Sequence, residues 1–195
     1  MRLFGVLRFE LVGVERLRRP GLVIVANHPT LLDVVFLLSV VPNATCIVRA
    51  GLSNNPFTRA AVRSAGYVCN DWGVELVDAC VDALCAGSSL IVFPEGTRTN
   101  PLQAQKWHRG AANVALRVGR PLTPVTISCE PPSLRKGEPW WHVPPRRMYF
   151  SIRVLDDLPV VGESARLGGD VNAARGLTDQ LRQLLTDRVK SNARA

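Results

Sequence analysis

Short, wholly apolar runs alternating with segments of helical periodicity constrain this chain more than any other feature. Leu22–Ala26 and Ser89–Phe93 carry apolar side chains at nearly every position. A strand apolar on both faces belongs inside a sheet that is covered on both sides. Between such runs, Val74–Cys85 repeats apolar residues at Leu76, Val77, Cys80, Val81 and Leu84, the spacing of one helix face, and Gly87 follows as its stop. Val6–Val12, Thr45–Val48, Tyr67–Cys69, Leu122–Ser128 and Met148–Leu155 read as further strands. Leu31–Val41, Pro56–Ala65 and Ala111–Val118 read as helices, the second with proline near its first turn. The rhythm predicts an α/β fold: a mostly parallel or mixed central sheet flanked by helices.

At 195 residues the chain reads as one domain over 1–195, large enough to build a core without disulfide staples. An amphipathic helix of about residues 173–191 closes it, with Leu177, Leu181, Leu184, Leu185 and Val189 on one stripe. Pro131–Pro145 breaks the pattern with five prolines and the pair Trp140-Trp141, and reads as a surface excursion. The longest apolar stretch, Val34–Val41, is eight residues, against about 20 for a membrane span. The N-terminus carries Arg2, Arg8 and Glu10 and does not read as a secretory signal. The expectation is a peripheral protein at the cytoplasmic face of a membrane. The five cysteines are odd in number and form no C-x-x-C pair, so we expect five buried free thiols. Three histidines without paired ligands predict no metal site.

The formal charge is +8, and 21 of the 24 basic residues are arginine. Arginine suits bidentate phosphate contacts, although a GC-rich genome produces the same skew. The excess implies an anionic partner. No groove-reading motif accompanies it, so we expect no nucleic acid.

In such sheets ligands meet the loops at the carboxyl ends of strands. Two such loops carry chemistry. Asn27-His28-Pro29-Thr30-Leu31-Leu32-Asp33 leaves an apolar strand and enters a helix. A histidine just before that helix and an aspartate in its first turns can meet, which fixes the imidazole tautomer and leaves the other nitrogen to take a proton. By itself the pair also fits a capping histidine. The second loop, Phe93-Pro94-Glu95-Gly96-Thr97-Arg98, offers an acceptor, an approachable backbone, a hydroxyl and a guanidinium.

Together, N-H-x-x-x-x-D and F-P-E-G-T-R some 60 residues later resemble the PlsC-like lysophospholipid acyltransferases. The resemblance runs from about Phe9 to Asp157. It includes Gly13-Val14-Glu15-Arg16-Leu17, the stretch Lys106-Trp107-His108-Arg109-Gly110-Ala111, and Pro121-Leu122-Thr123-Pro124-Val125. It implies acyl transfer from an acyl thioester, acyl-CoA or acyl-ACP, to a hydroxyl of a lipid acceptor such as 1-acylglycerol-3-phosphate. No other cofactor is implied. His28 takes the role of general base and Asp33 of its orienting partner. Asn27, Glu95, Gly96, Thr97 and Arg98 take acceptor-binding positions, with Arg98 on the phosphate. Arg49 is either a second cation or an ordinary strand-end arginine. Lys106 and Arg109 either share an anion with the following helix or form a solvated basic turn.

One position departs from the family pattern. Trp72 stands where the second motif carries an acceptor-binding arginine. This leaves open an acyltransferase of a specialised, non-glycerophosphate lipid such as an aryl-polyene type, or a catalytically silent binding homologue. Contact with an anionic membrane is expected through the Leu31–Val41 helix, the tryptophan excursion or the basic C-terminal helix. The first of these reads better as plain core, and the tryptophan pair reads equally as a packed hairpin.

Overall fold

The computed structural model describes residues 7–48, 68–69, 73–99, 106–139, 141–142, 144–160 and 171–192. The strands are β1 (Leu7–Val12), β2 (Val23–Ala26), β3 (Ala44–Val48), β4 (Val68–Cys69), β5 (Ser89–Val92), β6 (Leu122–Glu130) and β7 (Met148–Val154). The helices are α1 (Asp33–Val40), α2 (Gly73–Cys85), α3 (Gly110–Val118) and α4 (Val171–Asn192), with a 3-10 turn over Val14–Arg18. The strands form one sheet of order β1-β7-β6-β2-β5-β3-β4. Only β6 and β7 run antiparallel; the other neighbours are parallel. This is the mixed α/β sheet that the alternation predicts.

The apolar strands sit where they must. β2 lies between β5 and β6, and all four of its residues are buried. Its side chains alternate between two cores. Ile24 and Ala26 face a cluster with Ile91, Ile127, Phe150 and Ile152. Val23 and Val25 face the other side with Leu90, Leu122, Ala115 and Leu181. α1 covers the first face, where Leu37 is fully buried and the Phe36 ring packs 4.6 Å from that of Phe150. α2, α3 and α4 cover the second. Two cores need a strand apolar on both faces, which explains why β2 and β5 do not alternate with polar residues.

Pro124 within β6 fits for a local reason. The last continuous β6–β7 rung is Val125↔Val154, and Pro124 lies one residue beyond it, opposite Leu155, where the ladder gives up one N–H donor. Its carbonyl still accepts from the Leu155 N–H at 2.9 Å. Beside it, Arg19 makes a bidentate pair with Asp157 at 2.8 and 3.1 Å, and Thr123 Oγ1 donates to the same carboxylate.

Several boundaries differ from the sequence reading. α1 starts at Asp33, two residues later than predicted, because residues 31–32 form the turn on which Asp33 closes. β6 runs on to Glu130, since β7 pairs with it to Tyr149. The C-terminal helix begins at Val171. Cys85 is exposed, not buried: it ends α2 on the side away from the sheet, while Cys46, Cys80 and Cys129 are buried. The helix expected at Pro56–Ala65, together with Arg49, Trp72 and Trp140, lies outside the described residues.

Ile24 is fully buried on the strand that carries the first loop. Ile24→Ala should therefore lower the unfolding free energy by about 3 kcal/mol, the middle of the range for such truncations. Urea denaturation of the two proteins measures the difference.

Candidate active site

β2 and β5 are adjacent and parallel, so their carboxyl ends deliver the two loops side by side. The loop after β2 is closed by Asp33, the first residue of α1. Its carboxylate is 0 % exposed. Oδ2 accepts from the Thr30 N–H at 2.7 Å, and Oδ1 accepts from Thr30 Oγ1 at 2.6 Å. His28 Nδ1 lies 2.7 Å from the same Oδ2. Burial pushes the Asp33 carboxyl above its usual range, and the bonds from His28 and Thr30 offset part of that. A carboxylate at that distance requires the proton on Nδ1, so Nε2 of the neutral ring carries the lone pair. Among the described residues no group bonds Nε2. The imidazole stacks on Phe93 with ring centres 4.4 Å apart, and its side chain keeps 17 % exposure.

The second loop clasps the first through its backbone. Glu95 Oε1 accepts from the His28 N–H at 3.2 Å and from Thr99 Oγ1 at 2.9 Å. The Thr99 N–H donates to the His28 carbonyl at 2.6 Å. Glu95 is buried, and among the described residues its Oε2 has no hydrogen-bond partner. Burial raises its pKa above the ordinary value, with Thr99 and the His28 N–H acting the other way. Gly96 holds a left-handed φ of 62° and turns the loop. A Cβ there would stand 3.2 Å from the His108 ring. The His108 N–H in turn donates to the Pro94 carbonyl at 2.8 Å.

The structure brings His28, Asp33, Glu95 and Gly96 together, with half-buried Thr97 in the same turn. Two residues sit differently from expectation. Asn27 is expected to touch an acceptor, but its amide is consumed by the Ile127 backbone, donating and accepting at 2.8 Å. It continues the β2–β6 ladder one residue past the strand and so fixes where His28 emerges. Arg98 is expected on a phosphate, and its Nη1 donates to the Leu134 and Arg135 carbonyls at 2.9 and 2.8 Å. The Leu134 carbonyl also accepts from the Leu31 N–H at 3.2 Å, and Leu134 itself holds a φ of 56°. The proline-rich excursion is thereby pinned over both loops, at the cost of a conformation unusual for leucine. Lys106 and Arg109 are exposed on the segment that leads into α3.

Thr30, Phe93, Thr99 and Leu134 belong to the site and were not singled out in the sequence. Thr30 lies inside the first motif and Thr99 directly after the second, and a hydroxyl close in sequence to a motif carboxylate is the signal that points to them. Leu134 gave none. The buried cysteines do not compete as nucleophiles: burial raises Cys46 to about 12 and Cys80 and Cys129 to about 11, which keeps them as thiols. Among the described residues no cluster of His, Cys, Asp and Glu could hold a metal ion.

A carboxylate-oriented imidazole at the carboxyl edge of a mixed α/β sheet is a centre built for proton transfer to and from a hydroxyl or water. The acyltransferase family model matches residues 8–128, more than half of the chain, and the protein belongs to that family. A chloroplastic 1-acyl-sn-glycerol-3-phosphate acyltransferase of Brassica napus is 29% identical over 110 residues, 54% of this chain and 32% of that protein. A putative 1-acyl-sn-glycerol-3-phosphate acyltransferase of Caenorhabditis elegans is 30% identical over 165 residues, 77% of this chain and 55% of that one. The chain spans about a third of the length of the first of these and about half of the second. The crystal structure of the 1-acyl-sn-glycerophosphate acyltransferase PlsC from Thermotoga maritima shares the fold. It matches with a TM-score of 0.63 and 24% identity, covering 93% of this chain and 73% of that one.

The raised pKa of Glu95 has a stability consequence. A carboxyl that holds its proton more tightly when folded contributes stability below its unfolded pKa near 4, and loses it as pH rises through the folded value. As pH rises from about 4, the wild type should therefore lose unfolding free energy relative to Glu95→Gln. Denaturation curves at several pH values test the sign.

Proposed function

We propose that the protein transfers an acyl group from an acyl thioester to the free hydroxyl of a 1-acylglycerol-3-phosphate. The observation that carries the reading is the 2.7 Å His28–Asp33 contact, with Nε2 bonded to none of the described residues. Nε2 takes the acceptor's hydroxyl proton as its oxygen attacks the thioester carbonyl. The C–O bond forms, a tetrahedral intermediate collapses, and the C–S bond breaks. The thiolate leaves with the proton that His28 held. Buried Asp33 stabilises the imidazolium between the two transfers, and Thr30 keeps the carboxylate from turning away. No acyl-enzyme is needed. Glu95, Gly96, Thr97 and Arg98 form the acceptor side. Glu95 acts first by holding the His28 backbone, and Arg98, braced through Nη1, supplies a cation for the phosphate. Arg49 is a second candidate cation.

We infer peripheral contact with an anionic membrane. Among the described residues no helix is long and apolar enough to cross one. α1 is core on one side, yet Leu31 is 48 % and Val35 61 % exposed at its start, beside His28, and Trp141 is 67 % exposed on the excursion. Exposed apolar and aromatic side chains at the start of α1 and on the excursion, on a chain of charge +8, suit a headgroup interface.

The test is thioester consumption with lysophosphatidate, with non-phosphate lipid alcohols, and without acceptor. Lysophosphatidate should stimulate turnover, and His28→Ala should lower kcat about 10³-fold or more. Turnover confined to non-phosphate alcohols would overturn the acceptor and leave the mechanism. Turnover equal without acceptor would make the protein a thioesterase, and silence with every donor and acceptor would make it a binding homologue. In the same assay Asp33→Asn should lower kcat about 10²- to 10⁴-fold with little change in KM, since the ring would lose its orienting carboxylate.

A further inference from the structure

The segment that leads into α3 faces two ways. His108 lies against Gly96 of the second loop. Lys106, Trp107 and Arg109 instead line a groove of about 360 Å³. Its other wall is the first half of α4, with Arg175, Thr178, Asp179 and Arg182. That wall follows from the helix period. Ala174, Leu177, Leu181 and Leu185 bury one stripe in the core, so Arg175, Asp179 and Arg182 project from another. Arg175 and Arg182 stand seven residues apart, about 10 Å along the axis. The groove thus holds four cations against one carboxylate, and among the described residues none of the four has an ion pair.

We propose that this groove binds the phosphorylated nucleotide of an acyl-coenzyme A, which makes coenzyme A the donor's carrier. The inference rests on the acyl-transfer reading above. A single phosphate monoester needs one or two cations. Two cationic walls with a half-buried indole fit a ligand that carries phosphates at both ends of a nucleoside and an aromatic base between them. The two arginines on α4 meet one set of phosphates, Lys106 and Arg109 the other, and Trp107 lies against the base. A protein carrier spreads its carboxylates over a convex helix, which a groove of this size does not admit. The groove also borders the site through residues 106–109, so the thioester arm can run along that segment toward His28.

Calorimetry on the whole chain tests the site without turnover, using coenzyme A, 3′-dephospho-coenzyme A and phosphopantetheine. Coenzyme A should bind, and loss of the 3′-phosphate should weaken binding tenfold or more. Arg175→Ala/Arg182→Ala should weaken coenzyme A tenfold or more and raise KM for acyl-coenzyme A by as much. Arg175→Lys/Arg182→Lys should recover part of the loss. With S-acyl-pantetheine, which lacks every phosphate, the penalty should vanish. Unchanged coenzyme A affinity in the alanine variant overturns the proposal. So does a rise in KM for lysophosphatidate instead, which would give the groove to the acceptor, or a defect confined to acyl-ACP, which would give it to a protein carrier. Coenzyme A binding that needs both arginines, in a protein that transfers no acyl group, would uphold the nucleotide site and overturn the acyl-transfer reading.

Discussion

The buried carboxylate of Asp33 is the constraint around which the first loop is arranged. A carboxylate withdrawn wholly from water costs several kcal/mol unless its oxygens are satisfied. Here the Thr30 N–H, the Thr30 hydroxyl and His28 Nδ1 satisfy them within one turn of chain. The requirement fixes the start of α1, the path of residues 28–33 and the orientation of the imidazole together. The geometry of the His28–Asp33 pair and the local folding are therefore one problem at this loop, and a change that loosens either loosens both.

The second level of support comes from backbone partners across loops. Glu95 and Thr99 grip the His28 main chain, and Asn27 anchors to Ile127 on the neighbouring strand. Arg98 and Leu31 reach the same Leu134 carbonyl. Residues that a functional reading assigns to substrate thus also hold the site's frame. This is why charged and amide groups near a reactive histidine cannot be assigned to ligand contacts from type and spacing alone. Arg98 serves as both brace and proposed cation; Asn27 is a brace.

The two faces of the sheet divide the proposed work. The turn into α1, α1 itself and the excursion expose Leu31, Val35 and Trp141, the side to which we assign the proposed lipid. The α3–α4 face carries the four groove cations, to which the proposal gives the phosphates of a soluble carrier. With His28 at the strand ends, the proposed lipid and the proposed water-soluble thioester would approach it from different sides. Opposite polarity on the two approaches also disfavours exchange of the two ligands.

The residues alone determined the sheet class, the buried character of β2 and β5, the positions of most helices, and the His28–Asp33 pair. Each rests on a short-range rule: apolar runs, a 3.6-residue period, and a five-residue spacing that a helix start brings into contact. Long-range partners were decided only by tertiary structure. That Asn27 would bond a residue 100 positions away, that Thr99 would join the clasp, and that Cys85 would face solvent depend on which strands lie side by side. The α4 arginines read only as residues off the apolar stripe of a helix. Packing that stripe against β6 and α3 turned them toward Lys106 and Arg109, and so made a groove from segments some 70 residues apart. Local chemistry sets what each segment is; the burial of two separate cores sets which segments meet.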